Sequence, residues 1–314
     1  MSIIETLVEK FPVRKSGAQK AAFREWFCLW AKEQGYEAQT QTERMIVRCN
    51  NVVVGDPEKA EVVFTAHYDT PAVMPLPNFI TPCNVLVWLL YQIVMSAVIL
   101  APGIILGACA GWLGGYISNE AGFVIGYFAT LILMFITLAL MMAGPANKNC
   151  VNDNTSGVAA VMELMQRLPQ EQRGKVAFIL FDYEEMGLLG SSAYASKHKN
   201  VKTNKLLINM DCVGDGEHMM FFANKKTRAL PCFPALEKAM QQAQGRQFHM
   251  NMMEKCVYPS DQANYKLGIA VCACNYGKVV GYYCDKIHTK KDTICEQVNL
   301  DFLTDGLTSF VETL

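Results

Sequence analysis

The sequence is poor in charge. Lys and Arg number 28 and Asp and Glu 29 among 314 residues, so 18% of the chain is charged and the formal net charge is −1. Soluble domains carry roughly 25%. With no basic excess, the chain lacks an electrostatic footprint for nucleic acid. The twelve cysteines include no C-x-x-C pair, which excludes a zinc knuckle and a thioredoxin motif. A chain this long needs no disulfide framework, so the thiols are expected reduced and mostly buried, in a cytosolic compartment. Cys272 and Cys274, two apart in an apolar run, are expected on one face of a strand. The opening segment MSIIETLVEKFPVRKSG holds acids and bases and no long apolar stretch, so it does not read as a signal peptide.

Charge is scarcest from Asn84 to Pro145, where Glu120 is the one formal charge in 62 residues. At the chain-wide 18% about 11 would be expected. Two apolar blocks, Val85–Leu113 and Gly122–Ala143, flank the polar hinge GGYISNEA. Each exceeds the ~20 residues needed to cross a hydrocarbon core. Trp88, Tyr91, Trp112, Tyr116 and Tyr127 fall mostly near the block ends, as interfacial aromatics do. A buried core helix of this length keeps a polar face, and these blocks have none. The stretch reads as a two-helix transmembrane hairpin contacting the bilayer through residues 85–143. Gly107, Gly111 and Gly115 form a small-xxx-small repeat, which suggests a homo-oligomer packed through the hairpin.

The hairpin divides the chain into a catalytic domain, first part (1–83), the insertion (84–145) and the second part (146–314). Helices are expected at 17–34, with Gly35 as C-cap, and at 156–168, 186–198, 233–244 and 293–313. Strands are expected at 44–54, 61–66, 175–181, 204–210 and 268–274. Alternating strands and helices predict an α/β sandwich with a mixed, largely parallel sheet.

The chemistry-bearing residues cluster at strand ends, where open α/β sheets bind ligands. His67-Tyr68-Asp69 follows the 61–66 strand, and Asp69 is placed to fix the His67 tautomer. Asn152-Asp153-Asn154-Thr155-Ser156-Gly157 opens a helix, Asp182-Tyr183-Glu184-Glu185 follows another strand, Asp211 ends a third, and Lys286-Ile287-His288-Thr289 lies in a late loop. Each piece alone has a bland reading as helix cap or solvated surface. Together, two histidines and three acids make an N/O donor set suited to two divalent ions bridged by one carboxylate. A further acid is then free to act as base.

The order His67-Tyr68-Asp69, Asp153-Asn154-Thr155-Ser156-Gly157, Glu184-Glu185-Met-Gly-Leu-Leu-Gly-Ser, Asp211 and Ile287-His288-Thr289-Lys-Lys-Asp292-Thr293 resembles the co-catalytic zinc aminopeptidases of peptidase family M28. The resemblance covers residues 60–83 and about 146–296. It implies a zinc exopeptidase-like fold, two Zn2+ per chain and a short-peptide substrate. It implies Asp153 as the bridging ligand, His67 and Asp211 on one zinc, and Glu185 and His288 on the other. It implies Glu184 as general base, Asp69 as the partner of His67, and Tyr258, before Ser260-Asp261, as an oxyanion donor. His198, His218 and His249 match no family position and read as structural or exposed.

Two other readings share the fold. One is a glutaminyl-cyclase-like enzyme using a single zinc, although the Asn-x-Ser-Gly and Gly-Leu-Leu-Gly-Ser patterns look like peptidases. The other is an inactive scaffold, which such a complete ligand set argues against. The hairpin replaces the short link usual between the first two motifs, and its proximity to His67 predicts an active site facing the bilayer surface. Lys148 after the second block, and a hinge without Lys or Arg, predict an integral, multi-pass protein with its catalytic domain on the cytoplasmic side.

Overall fold

A computed structural model describes residues 1–74 and 76–314. Helices α1 (Ile3–Lys10) and α2 (Gly17–Glu33) each start with a capping box, Ser2 with Glu5 and Ser16 with Gln19. Past α2, Gly35 takes φ +81°, the left-handed conformation that lets the chain turn off the helix, as expected. Strands β1 (Ala38–Arg44), β2 (Arg48–Val54) and β3 (Val62–His67) follow. The hairpin is α3 (Val85–Gly114) and α4 (Asn119–Ala143). Beyond it come α5 (Gly157–Arg167), β4 (Val176–Phe181), α6 (Leu189–Lys197), α7 (Lys199–Asn204) and β5 (Leu206–Met210). The chain ends with β6 (His218–Ala223), α8 (Lys225–Arg228), α9 (Phe233–Gln242), β7 (Gln247–Met252), β8 (Gly268–Gly277), β9 (Gly281–Tyr283) and α10 (Gln297–Glu312).

The nine strands form one mixed sheet in the order β1-β2-β4-β3-β5-β8-β6-β7, with β9 paired to β8. Its centre, β4-β3-β5-β8, is parallel, and its flanks bring in antiparallel pairs. Period-2 alternation covers both faces. Val62, Phe64, Ala66, Phe178 and Leu180 pack into one cluster with α2, α5 and α10. Val63, Ile179 and Phe181 pack into another with Tyr194 and Val201. A parallel centre buried on both sides is the expected arrangement for such apolar strands.

Some expectations need correction. The single strand expected at 44–54 is two, because the chain reverses at residues 45–47 and pairs Arg44 with Arg48. Strand β1 (AQTQTER) is a mostly exposed edge strand without an apolar period. The helix expected from 186 begins only at Leu189, because Gly187 (φ +92°) and Leu188 (φ 59°) are left-handed. Strands β6, β7 and β9 were not foreseen, and neither were α1 and α7.

The chain leaves and returns to the α/β domain at one place. Val73 N–H donates to the Pro145 carbonyl at 2.8 Å, and Asn147 N–H to Pro71 at 3.0 Å. Helices α3 and α4 are long and apolar enough to cross a membrane, and their most apolar windows are 17% and 0% buried. A soluble core helix would be covered on most sides, and these are not. Their contact is a seam of small residues. Gly111 meets Gly122 and Gly126, and a Cβ on Gly107 would overlap Thr130. The glycine repeat is therefore used between α3 and α4. Gly107→Val should destabilise the hairpin by about 1–3 kcal/mol through overpacking. Thermal unfolding in detergent checks this, with Ile105→Val, on an exposed position, expected to be neutral.

Candidate metal centre

The candidate residues converge at the C-terminal ends of the parallel strands. His67 ends β3, Asp211 follows β5, and Glu184 and Glu185 follow β4 by a short turn. Asp153 enters from the segment before α5, through a cis peptide to Asn154. His288 enters from the loop before α10, with φ 63°.

Asp153 sits between the two histidines. Its Oδ1 lies 3.3 Å from His67 Nε2, and its Oδ2 lies 3.1 Å from His288 Nε2. Asp211 Oδ1 is 3.6 Å from the same His67 nitrogen, and Glu185 Oε2 is 3.4 Å from the His288 nitrogen. One carboxylate thus faces two nitrogen–carboxylate pairs, one with each oxygen. Glu184 joins the His67–Asp211 side, with ligand atoms all within 4.8 Å of one another.

Burial and like charge dominate the electrostatics. Withdrawal from water pushes the Glu184 and Glu185 carboxyls well above their ordinary range, and neighbouring carboxylates add to it. Burial would lower His67, but Glu184, Asp153 and Asp211 around it raise it well above its usual value. Asp153 is pushed up by burial yet held well below the carboxylate range by His288 and His67. Asp261, with both oxygens buried and unpartnered, is pushed up to about 7 by burial. Buried carboxylates in such numbers are strongly unfavourable without compensating cations.

The backbone around these side chains is held by a dense polar lattice. Asp69 accepts from the Glu184 N–H at 3.0 Å with one oxygen and the Glu185 N–H at 3.3 Å with the other. Its Oδ1 also lies 3.6 Å from His67 Nδ1. It therefore positions the glutamate pair as well as facing the histidine. The Asn-Asp-Asn-Thr-Ser-Gly segment has a similar logic. Asn154 donates to the Met210 carbonyl and accepts from the Gly157 and Cys212 N–H groups. Asn152 accepts from Gly214 and Asp215, and Ser156 from Val213. These bonds tie Asp153 to the segment that carries Asp211. Gly157 is required because a Cβ there would collide with the Met210 carbonyl. Asp292 accepts from the Asn152 and Asp153 N–H groups at 2.7 and 3.0 Å.

Several organising residues escaped the sequence reading. Arg14 is fully buried, and burial lowers it to about 10. Its guanidinium donates to the Tyr68 carbonyl at 2.5 Å and to Thr155 Oγ1 at 2.9 Å, joining the first two motifs. Lys20 forms a buried ion pair with Asp182 at 2.6 Å. Neither carries a local signal, since both sit in ordinary basic, polar stretches. Ser260 was noted only as part of a segment. It donates to Asp211 Oδ2 at 2.5 Å.

The Tyr258 phenol donates to the Asp211 carbonyl at 2.9 Å, and its ring stacks on Phe222. His198 stacks on Tyr194, and His218 bonds His249 at 3.0 Å, away from the candidate ligands. Cys272 and Cys274 do share a strand face, with sulfurs 3.7 Å apart in an apolar cluster.

The sequence profile of peptidase family M28 matches residues 140–305, more than half of the chain. The chain belongs to peptidase family M28. Aminopeptidase YwaD of Bacillus subtilis (strain 168) is 39% identical over 66 residues, which cover 20% of this chain and 14% of that protein. Among solved structures, the glutaminyl cyclase of Porphyromonas gingivalis superposes with TM-score 0.61 at 15% identity, covering 99% of this chain and 96% of that one. The LapA aminopeptidase of Legionella pneumophila gives TM-score 0.56 at 14% identity, covering 99% and 68%. At these identities the likenesses show the fold, a zinc exopeptidase-like α/β sandwich.

Asp69→Asn should loosen the whole centre, because an amide cannot accept both the Glu184 and Glu185 N–H bonds. A 10–100-fold loss of zinc affinity is expected, as for other groups that orient metal ligands. Zinc titration against a fluorescent chelator measures it, and unchanged affinity would remove Asp69 from this role.

Proposed function

We propose that the chain is a membrane-anchored dizinc aminopeptidase that hydrolyses the N-terminal bond of short peptides. The observation that carries this reading is Asp153, whose two oxygens face the His67–Asp211 pair and the His288–Glu185 pair separately. The donor set fits zinc by chemistry, with imidazole nitrogens and carboxylate oxygens only. Among the described residues Glu185 Oε1 is buried without any partner. An orphaned acceptor among crowded carboxylates is what a bound cation would relieve.

In this reading His67, Asp211 and Asp153 would hold one zinc, and His288, Glu185 and Asp153 would hold the other. Bound zinc would lower the pKa of water toward ~7 and polarise the scissile carbonyl. Glu184 accepts a proton from the attacking water and returns it to the leaving amine, so one water adds across the C–N bond. The hydrogen bonds from its own and the next backbone N–H to Asp69 fix its place.

The hairpin serves as the anchor. Both of its ends meet the catalytic domain side by side, so the domain lies on one membrane side, with cytoplasmic placement following from Lys148 and a hinge free of Lys and Arg. The site lies at the hairpin root, since Met74 N–H donates to the His288 carbonyl at 2.7 Å. That proximity supports an active site facing the bilayer surface.

Detergent-purified protein should contain two zinc ions per chain by mass spectrometry and cleave dipeptides. Chelation should abolish turnover and zinc should restore it. Glu184→Gln should keep both ions and lose about 10²–10⁴-fold in kcat. One zinc, with cyclisation of an N-terminal glutamine and no peptide cleavage, would replace this reading with the cyclase. Two ions and no effect of Glu184→Gln would remove Glu184 as base.

A further inference from the structure

A cavity of about 480 Å³ opens between the hairpin root and the metal centre, with Glu185 and His288 in its wall. The rest of its lining comes largely from the hairpin: Tyr91, Met95 and Ile99 of α3, and Leu138 and Met142 at the end of α4. The helix register explains the space. Gly103 lies over Leu133 and Met134, and Gly107 over Thr130, so α4 ends near the level of Met95. The first turns of α3 run on past that end and lie along the catalytic domain. There Tyr91 donates to the Pro77 carbonyl at 2.5 Å and packs edge-on against Phe79. The Lys15 ammonium holds the other wall by donating to the Met142 carbonyl at 2.8 Å.

The chemistry of the wall is selective. Among the described residues Glu185 is the one acid in it, and there is no Lys or Arg. Four methionines contribute, a side chain that adapts to varied apolar shapes. A second cavity of about 410 Å³ reaches Glu185 from the other side of Met142, but its wall carries Lys15, Lys20 and Asp69. The hairpin-side wall thus carries no basic side chain among the described residues, whereas the other wall carries two lysines.

We infer that the hairpin builds a specificity pocket for a large apolar side chain next to the scissile bond of the peptide. The membrane insertion then selects the substrate as well as anchoring the enzyme. This rests on the peptidase reading above.

The test uses the full-length, zinc-loaded protein in detergent. X-Ala and Ala-X dipeptides, with X as Leu, Phe, Met, Ala or Asp, are compared in the native protein, Ser96→Trp and Leu138→Trp. Ser96 also lines the cavity. Ile105→Trp, exposed and outside the lining, is the control. At one of the two positions Leu, Phe or Met should exceed Ala in kcat/KM by more than about 10-fold, the scale on which apolar pockets discriminate. Both filling variants should erase that preference while Ala-Ala changes less than about 3-fold. Equal losses on all substrates, or an unchanged preference, would overturn the inference. Calorimetry with leucine and glycine hydroxamates separates it from the peptidase reading. If no dipeptide is cleaved but leucine hydroxamate binds about 10-fold tighter, and only in the unfilled pocket, the cavity stands and the peptidase reading falls. Equal binding of the two hydroxamates, with no side-chain preference at either dipeptide position, would remove the cavity proposal.

Discussion

The constraint on which this molecule turns is the gathering of like charge. Asp69, Asp153, Glu184, Glu185, Asp211 and Asp261 converge at one sheet edge, with two imidazoles between them. Carboxylates withdrawn from water repel one another at several kcal/mol per close pair. Folding tolerates this only if most are hydrogen-bonded and some meet a cation. The centre shows both conditions. Asp69, Asp211 and Asp292 accept bonds from backbone and side-chain donors, whereas Glu185 Oε1 and both Asp261 oxygens are buried with none.

Much of the surrounding structure can be understood as the means of holding that edge in place. The parallel strands bring His67, the Glu184-Glu185 pair and Asp211 to neighbouring positions from three separate segments of the chain. Asparagine and serine side chains then bind the segment of Asp153 to the strand end of Asp211. Left-handed residues flank the site, at Tyr183 (φ 54°), Cys212 (φ 57°) and His288 (φ 63°). Such conformations cost on the order of 1–3 kcal/mol each and persist where the surroundings impose them. Here the imposing element is the lattice of buried bonds.

The hairpin obeys a different rule. Its outer surface is apolar and uncovered, and its inner seam is made of glycine and threonine. Small residues let two helices approach closely where apolar burial alone gives no preference between partners. The glycines of α3 are therefore matched to those of α4. What α3 turns toward the α/β domain is a different set, Tyr91 and Met95, which line the cavity that Glu185 and His288 also wall.

Legibility followed the range of the cause. The strands carrying the site were readable because burial on both faces makes apolar runs, as in VVFTAH and VAFILF. The hairpin was readable because 62 residues with one charge leave little else. The motif residues were legible as types and spacings, and the order of the motifs marked the family. Strand β1 was not legible, because a polar edge strand has no core face to impose a period. Arg14 and Lys20 were not, because a buried cation is recognised only by its acceptors, here Tyr68, Thr155 and Asp182. The bond from Tyr258 to the Asp211 carbonyl was not legible either, because no local pattern reveals a backbone acceptor 47 residues away. The sequence by itself determined which donors are present, which stretches are apolar, and where the insertion lies. Only the tertiary structure decided that Asp153 stands between two histidines, and that the hairpin root walls the site. Both facts depend on chain segments far apart in sequence meeting at the strand ends of one sheet, and no local sequence period encodes such a meeting.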